Sequence, residues 1–295
     1  MNLTRRQILT HALIAGTALA LPGVLSAADA PVTPVTPSMR ISLQLYSVRE
    51  ACRQDFDRTL AEVAAAGFVG VEFAGYHTYT GKPADLRRRL ADLGLTAAGT
   101  HIGVAALRGD ALRQTIDFHR ELGCRYLIVP HDTGAVHPDH SKALADLLNQ
   151  ASEQLTPAGL ACGYHNHEAE MKLADGEHTW WDLLAQRTVP AVVLQQDCGW
   201  TAMAGGDPAA VIRRYPGRSR ILHFKPTVVR SEAARADRSP ILGHDSVDWK
   251  AVVAACREVG GTEWTTIEQE RCPPGVTPMD AARSSLDGLR RILSA

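Results

Sequence analysis

The chain has 295 residues, of which 45% are hydrophobic and 21% are charged, with 24 Gly and 16 Pro. This composition is typical of a globular protein and excludes a collagenous, coiled-coil or disordered chain. The 31 Lys and Arg against 32 Asp and Glu give a net charge of -1, so we expect no nucleic-acid partner and no general attraction to anionic lipid.

The first thirty residues resemble a twin-arginine export signal. Arg5 and Arg6 precede an uncharged stretch over 8–28, and the small residues at its end are typical of processing after Ala28 or Ala30. A single membrane anchor is the alternative, which a Pro-Gly break and modest apolarity disfavour. We therefore expect a periplasmic protein that is delivered by the twin-arginine export machinery and has no stable membrane span in its mature form.

The linker and the main domain follow this signal. Residues 31–38 are rich in Pro and predict an extended linker, so the globular domain is expected over 39–295. The six cysteines show no paired short spacing, which argues against a zinc ribbon or a redox pair. Buried free thiols are favoured over disulfides because a twin-arginine substrate is exported already folded.

From residue 39 onward, short apolar runs alternate with longer amphipathic runs eight times. Strands are predicted at Arg40–Tyr46, Val69–Ala74, Leu95–His101, Tyr126–His131, Leu160–His167, Ala191–Asp197, Arg220–Lys225 and Glu263–Glu270. Helices are predicted at Asp57–Ala66, Ala84–Leu93, Asp110–Leu122, Ser141–Leu155, Thr179–Gln186, Pro208–Arg214, Ser246–Val259 and Pro278–Leu293. Units of roughly 33 residues predict a single (β/α)8 TIM barrel. A doubly wound sheet is disfavoured because no Gly-rich phosphate turn follows the first strand.

Polar side chains are concentrated at the predicted carboxyl ends of the strands, where a barrel of this kind places its site. Asp197, His223 and Glu268 end the sixth, seventh and eighth strands, and we predict that they bind one divalent metal ion. Imidazole and carboxylate ligands together favour manganese, cobalt, iron or zinc over calcium. A solvated polar rim is the alternative, but unpaired charges there would be costly.

Five short segments resemble the sugar phosphate isomerase/epimerase family, the xylose isomerase-like barrels. They are LQLYSVR at 43–49, GVEFAG at 70–75, YHNHE at 164–168, QDCGW at 196–200 and HFK at 223–225. The resemblance covers the whole mature chain and implies a divalent-metal barrel that acts on a polyol, a ketose or a keto-sugar. It implies metal ligands at Asp197, His223 and Glu268, and a fourth at His165 or at its rival Glu168.

The other polar residues at the strand ends are assigned to catalysis and to substrate binding. His167 is predicted as the base that removes a proton next to a carbonyl, Glu268 as both ligand and proton carrier, and Lys225 as the group that stabilises the developing oxyanion. Trp200 offers an apolar face to a sugar ring. The further predicted substrate contacts are Gln44, Glu72, His101 and His131.

The predicted function is that of a metal-dependent isomerase or epimerase acting on an unphosphorylated sugar, keto-sugar or cyclitol. Export and the lack of a phosphate-cradling motif in the sequence argue against phosphorylated substrates. Loss of a β-hydroxyl after the same proton abstraction would instead make the protein a dehydratase or lyase acting on a keto-sugar or an inosose. A non-catalytic periplasmic carbohydrate-binding barrel is a further alternative, and the near-neutral charge disfavours a DNA-repair nuclease.

Overall fold

The computed structural model describes residues 39–229, 240–259 and 261–294. The predicted export signal at 1–30 and the linker at 31–38 lie outside these residues, so both stay predictions. None of the helices in the described ranges combines the length and the apolarity needed to cross a membrane.

Eight parallel strands form the centre of the domain, as the sequence predicts. They are β1 Arg40–Gln44, β2 Gly70–Phe73, β3 Thr96–His101, β4 Tyr126–Val129, β5 Ala161–His165, β6 Val193–Gln195, β7 Ile221–Phe224 and β8 Trp264–Ile267. Each lies within its predicted range. Their order is β6-β5-β4-β3-β2-β1-β8-β7, and a bridge between Asp197 and His223 joins the two edge strands. The predicted TIM barrel is therefore confirmed.

Ten α-helices accompany the strands in the described part of the chain. They are α1 Arg49–Gln54, α2 Phe56–Ala65, α3 Pro83–Asp92, α4 Gly109–Leu122, α5 Ser141–Leu155, α6 Trp180–Arg187, α7 Cys198–Met203, α8 Pro208–Arg214, α9 Trp249–Val259 and α10 Pro278–Ser294. The eight predicted helices are all present, although α9 begins three residues later than expected. The six-residue helices α1 and α7 were missed because fewer than two turns leave too little periodicity to recognise.

The strands separate the apolar interior of the barrel from the apolar residues that pack between the strands and the helices. On β4, Leu127 and Val129 pack with residues of α5, whereas Tyr126 and Ile128 pack with Trp264 and other strand residues. Because side chains alternate along a strand, the second group fills the interior of the barrel. All six cysteines are free thiols and five are buried, in agreement with the favoured interpretation. Because apolar side chains fill the interior of the barrel, the polar residues lie at the carboxyl ends of the strands.

Helix α10 contacts the segment that precedes α9 without an intervening side chain. A Cβ at Gly288 would overlap the carbonyl oxygen of Leu242, and the amide of Leu242 donates a hydrogen bond to Ser285 Oγ on the same helix. Glycine is a poor helix former, with a cost of about 1 kcal/mol relative to Ala. The close approach of the Leu242 backbone therefore explains why a glycine lies at position 288, whereas helix propensity does not.

We expect Gly288→Ala to lower the free energy of unfolding by about 1–3 kcal/mol, as overpacking does, despite the better helix propensity of Ala. Ser284→Ala is the control, because Ser284 is exposed on the same helix. Urea denaturation followed by circular dichroism measures both. Equal stability of the two variants would contradict the close approach.

Candidate metal site at the barrel mouth

Four side chains converge at the carboxyl ends of β5 to β8. Strand β5 ends in His165, Asp197 follows β6, His223 lies within β7 and Glu268 follows β8. Each offers one ligand atom, and these atoms all lie within 4.8 Å of one another. None of the four residues is more than 5% exposed. The structure therefore brings together the residues that the sequence predicts as metal ligands.

Two ligand atoms of this cluster are buried without a hydrogen-bond partner among the described residues. They are Nδ1 of His165 and Oδ2 of Asp197. The nearest cationic groups to Asp197 Oδ2 are Lys225 Nζ at 3.7 Å and His223 Nδ1 at 3.9 Å, both beyond hydrogen-bond distance. A buried polar atom without a partner is costly, and a bound cation would supply one. Two imidazoles and two carboxylates fit zinc, manganese, cobalt or iron.

The protonation of the cluster reflects burial and crowded negative charge. Burial raises the pKa of Asp197 to about 7, although the ammonium of Lys225 opposes this shift. Burial alone would lower the pKa of His223, but the carboxylates of Glu72 and Glu268 raise it to about 10. Without a cation, a proton on His223 thus offsets the nearby carboxylates. Metal binding would displace such protons.

The carboxylate of Glu72 holds the far side of the His223 ring. Its Oε2 lies 2.5 Å from His223 Nε2, while Nδ1 of the same ring faces Glu268 Oε2 at 3.1 Å. Gln44 Nε2 donates to Oε2 of Glu72 at 2.9 Å, and Gln195 Nε2 donates to Oε1 at 2.6 Å. A carboxylate behind a ligating imidazole fixes its orientation and raises its basicity. This arrangement favours His223 Nδ1 as the ligand atom.

Gln44 and Glu72 therefore occupy places different from those expected of substrate contacts. Both are 0% exposed, and neither lines the pocket beside the cluster. Their contacts favour a positioning role behind the metal ligands. Gln195 completes this network and was missed from the sequence, because nothing in the spacing pairs it with Glu72; the only signal was its place at the end of β6.

Lys225 places a buried ammonium group beside the cluster. Its Nζ lies 2.9 Å from Glu268 Oε2 and 2.9 Å from Glu270 Oε1, and the side chain is almost fully buried. The ring of Trp200 lies 5.1 Å from Nζ. Lys225 was predicted as a catalytic residue, and the structure puts it next to a predicted ligand. Glu270 was not predicted as a site residue. The sequence signal for it was that residues two apart on a strand share one face, which places Glu270 beside Glu268.

A pocket of about 390 Å³ opens beside the cluster. Its polar lining consists of Tyr46, His101, His165, His167, Glu268 and Glu270. Of the predicted substrate contacts, His101 lines this pocket and also contacts Gln195 Oε1 at 2.9 Å. His131 and Trp200 lie outside its lining, with their rings 6.0 Å and 5.4 Å from the ring of His167. The volume is within the usual range for small-molecule sites.

The two rivals for the fourth ligand lie in different surroundings. His165 belongs to the buried cluster, whereas the side chain of Glu168 is 40% exposed and its Oε1 lies 3.1 Å from Lys172 Nζ. An exposed carboxylate with its own cationic partner has no need of a metal ion. The structure therefore favours His165.

Sequence comparison identifies relatives that match most of the chain. An inosose dehydratase from Geobacillus kaustophilus is 24% identical over 273 residues, which cover 80% of this chain and 87% of the relative. A 3-dehydroshikimate dehydratase from Pseudomonas putida is 29% identical over 239 residues, which cover 76% of this chain and 32% of the relative. These relatives are enzymes, in agreement with the prediction of an enzyme.

Two solved structures show the same fold. A sugar phosphate isomerase/epimerase from Parabacteroides distasonis has a TM-score of 0.70 and 23% identity, covering 90% of this chain and 98% of that chain. The IOLI protein with a bound zinc atom has a TM-score of 0.66 and 14% identity, covering 87% and 98%. Residues 60–292 match the family described as xylose isomerase-like TIM barrel. The chain therefore belongs to the xylose isomerase-like TIM barrel family.

Proposed function

We propose that the protein is a metal-dependent dehydratase that removes water from a polyhydroxylated ketone, a keto-sugar or an inosose. The reaction begins with abstraction of a proton next to the carbonyl. The observation that carries this proposal is the buried cluster of four ligand side chains, whose ligand atoms lie within 4.8 Å of one another beside the pocket. A divalent cation bound there would polarise a carbonyl and make the neighbouring C–H more acidic. The zinc of the IOLI protein supports such a cation.

The choice of dehydration over isomerisation rests on the relatives. Inosose dehydratase and 3-dehydroshikimate dehydratase both take their names from the loss of water. The isomerase or epimerase expected from the sequence shares the first proton transfer and differs only in the second step, in which a proton returns to carbon. A substrate with a hydroxyl β to its carbonyl can expel that hydroxyl once the α-proton has left, so the same site suits elimination.

Side chains of the chain itself supply the proton chemistry in this proposal. His167 and Glu270 both line the pocket, and each can accept a proton from substrate. The ammonium of Lys225, held between Glu268 and Glu270, stabilises negative charge that develops on the substrate oxygen. Tyr46, whose side chain is 42% exposed at the pocket, offers a ring face to the substrate.

The proposed reaction is tested by incubating the metal-loaded protein with an inosose in deuterated water and identifying products by NMR. We expect a dehydrated, unsaturated ketone. A stereoisomer carrying deuterium next to the carbonyl would instead support the epimerase. Binding of the inosose without turnover or exchange would contradict an enzyme and favour the carbohydrate-binding barrel.

We expect Asp197→Ala and Glu72→Gln to weaken metal binding to different degrees. The first removes a ligand, so its loss of affinity exceeds that of the second. Glu72→Gln removes only the acceptor behind His223, a change that typically costs roughly 10- to 100-fold in affinity. Zinc titration with a competing chromophoric chelator measures both. Asp146→Ala, on the exposed face of α5, is the control, and equal affinity of all three variants would refute the assignment.

The identity of the fourth ligand is tested by His165→Ala and Glu168→Ala. We expect the first to lower zinc affinity and the second to leave it unchanged, because Glu168 is paired with Lys172 at the surface. Isothermal titration calorimetry of the apo proteins compares them. A loss of affinity confined to Glu168→Ala would make Glu168 the ligand and would remove His165 from the set.

A further inference from the structure

A second group of potential ligands lies next to the first and shares no residue with it. His131 follows β4, and His167 and Glu170 follow β5. Their ligand atoms also lie within 4.8 Å of one another. The two groups adjoin, since the ring centroids of His165 and His167 are 5.0 Å apart.

The imidazoles of this group can offer nitrogen atoms to a metal ion. Nδ1 of His167 is buried and has no hydrogen-bond partner among the described residues. The ring of His131 stands edge-on to that of His167, with centroids 6.0 Å apart and an angle of 84° between the planes. His131 is exposed, so an ion can reach the group from solvent.

The carboxylate of Glu170 is buried and held in place by neutral donors. It is 3% exposed; Oε1 accepts a hydrogen bond from Tyr164 Oη at 3.0 Å, and Oε2 accepts one from the backbone amide of His167 at 2.9 Å. The Tyr164 hydroxyl in turn accepts from the amide of Asp132 at 3.1 Å. A carboxylate has about four lone-pair sites, so two hydrogen bonds leave capacity for a cation.

Charge balance also favours a cation at this place. Within the described part of the chain, no Lys or Arg forms an ion pair with Glu170. A buried carboxylate without a cationic partner is costly. The hydrogen bonds from Tyr164 and from the backbone orient the carboxylate, as the outer contacts of metal sites do.

We propose that His131, His167 and Glu170 bind a second divalent cation of the zinc class. Two imidazoles and one carboxylate are the ligands of catalytic zinc sites that keep a position open, and of non-haem iron sites. The inference does not depend on the proposed function, because the two groups have separate ligands. It assigns His167 to cation binding instead of proton abstraction, which leaves Glu270 as the proton acceptor on the pocket wall.

The test is the metal stoichiometry of the full-length chain. Protein stripped with a chelator is loaded with Zn²⁺, desalted and analysed by inductively coupled plasma mass spectrometry. We expect two equivalents in the parent protein, one in His131→Ala and one in Asp197→Ala, because each variant loses a ligand from one group only. Glu170→Gln keeps the size of the side chain and is expected to retain one equivalent.

The matched control is His140→Ala, which removes an exposed imidazole stacked on His137 outside both groups. This variant should retain two equivalents. A parent protein that saturates at one equivalent which His131→Ala retains, or a His131→Ala variant that still binds two, would overturn the second site. The experiment separates the two proposals, since Asp197→Ala reports on the first group and His131→Ala on the second.

Discussion

The barrel mouth depends on the burial of several carboxylates around one imidazole. Glu72 and Glu268 contact opposite nitrogens of His223, and Asp197 lies beside them, all with little or no exposure to solvent. Such burial is unfavourable unless positive charge is supplied from within. Lys225 supplies one positive charge, and without a bound cation a proton on His223 supplies another. Among the residues that the structure describes, Oδ2 of Asp197 has no hydrogen-bond partner, which indicates that the positive charge does not fully compensate the carboxylates. A bound cation would supply the missing positive charge.

The same residues also take part in closing the barrel. Between β6 and β7 the pairing includes a single bridge from Asp197 to His223, and the His223 amide donates to the carbonyl of Gln196 at 2.9 Å. Asp197 additionally caps α7, because its Oδ1 accepts a hydrogen bond from the amide of Trp200 at 2.8 Å. Two predicted ligands are thus fixed by the backbone that joins the edges of the sheet. Such fixing favours precise placement of a bound ion.

The sequence predicted the strands, the main helices and three members of the cluster because these depend on local periodicity and on a rule of the fold. The fourth ligand was implied by the family resemblance and stayed open between His165 and Glu168. Parallel strands bring their carboxyl ends to one edge, so Asp197, His223 and Glu268 could be placed together without coordinates. The contacts behind them could not be predicted. Glu72 reaches His223 across 151 positions of the chain, and a spacing pattern contains no information on such a pair. Glu170 was missed for another reason: it lies beyond its strand, in a short turn whose geometry the alternation of residues does not describe.

Cation binding by His131, His167 and Glu170 would change which side chains carry the two proton transfers of the proposed elimination. Removal of an α-proton and departure of a β-hydroxyl require an acceptor and a donor on the pocket wall. If His167 binds a cation, the ion pair of Glu270 with Lys225, 2.9 Å apart, remains beside the pocket to fill both needs. When the carboxylate of Glu270 accepts a proton, it attracts the ammonium of Lys225 less strongly. Lys225 then donates a proton more readily to a neighbouring oxygen. The first cation would activate the carbonyl, and the second would fix the segment after β5 that forms one wall of the pocket.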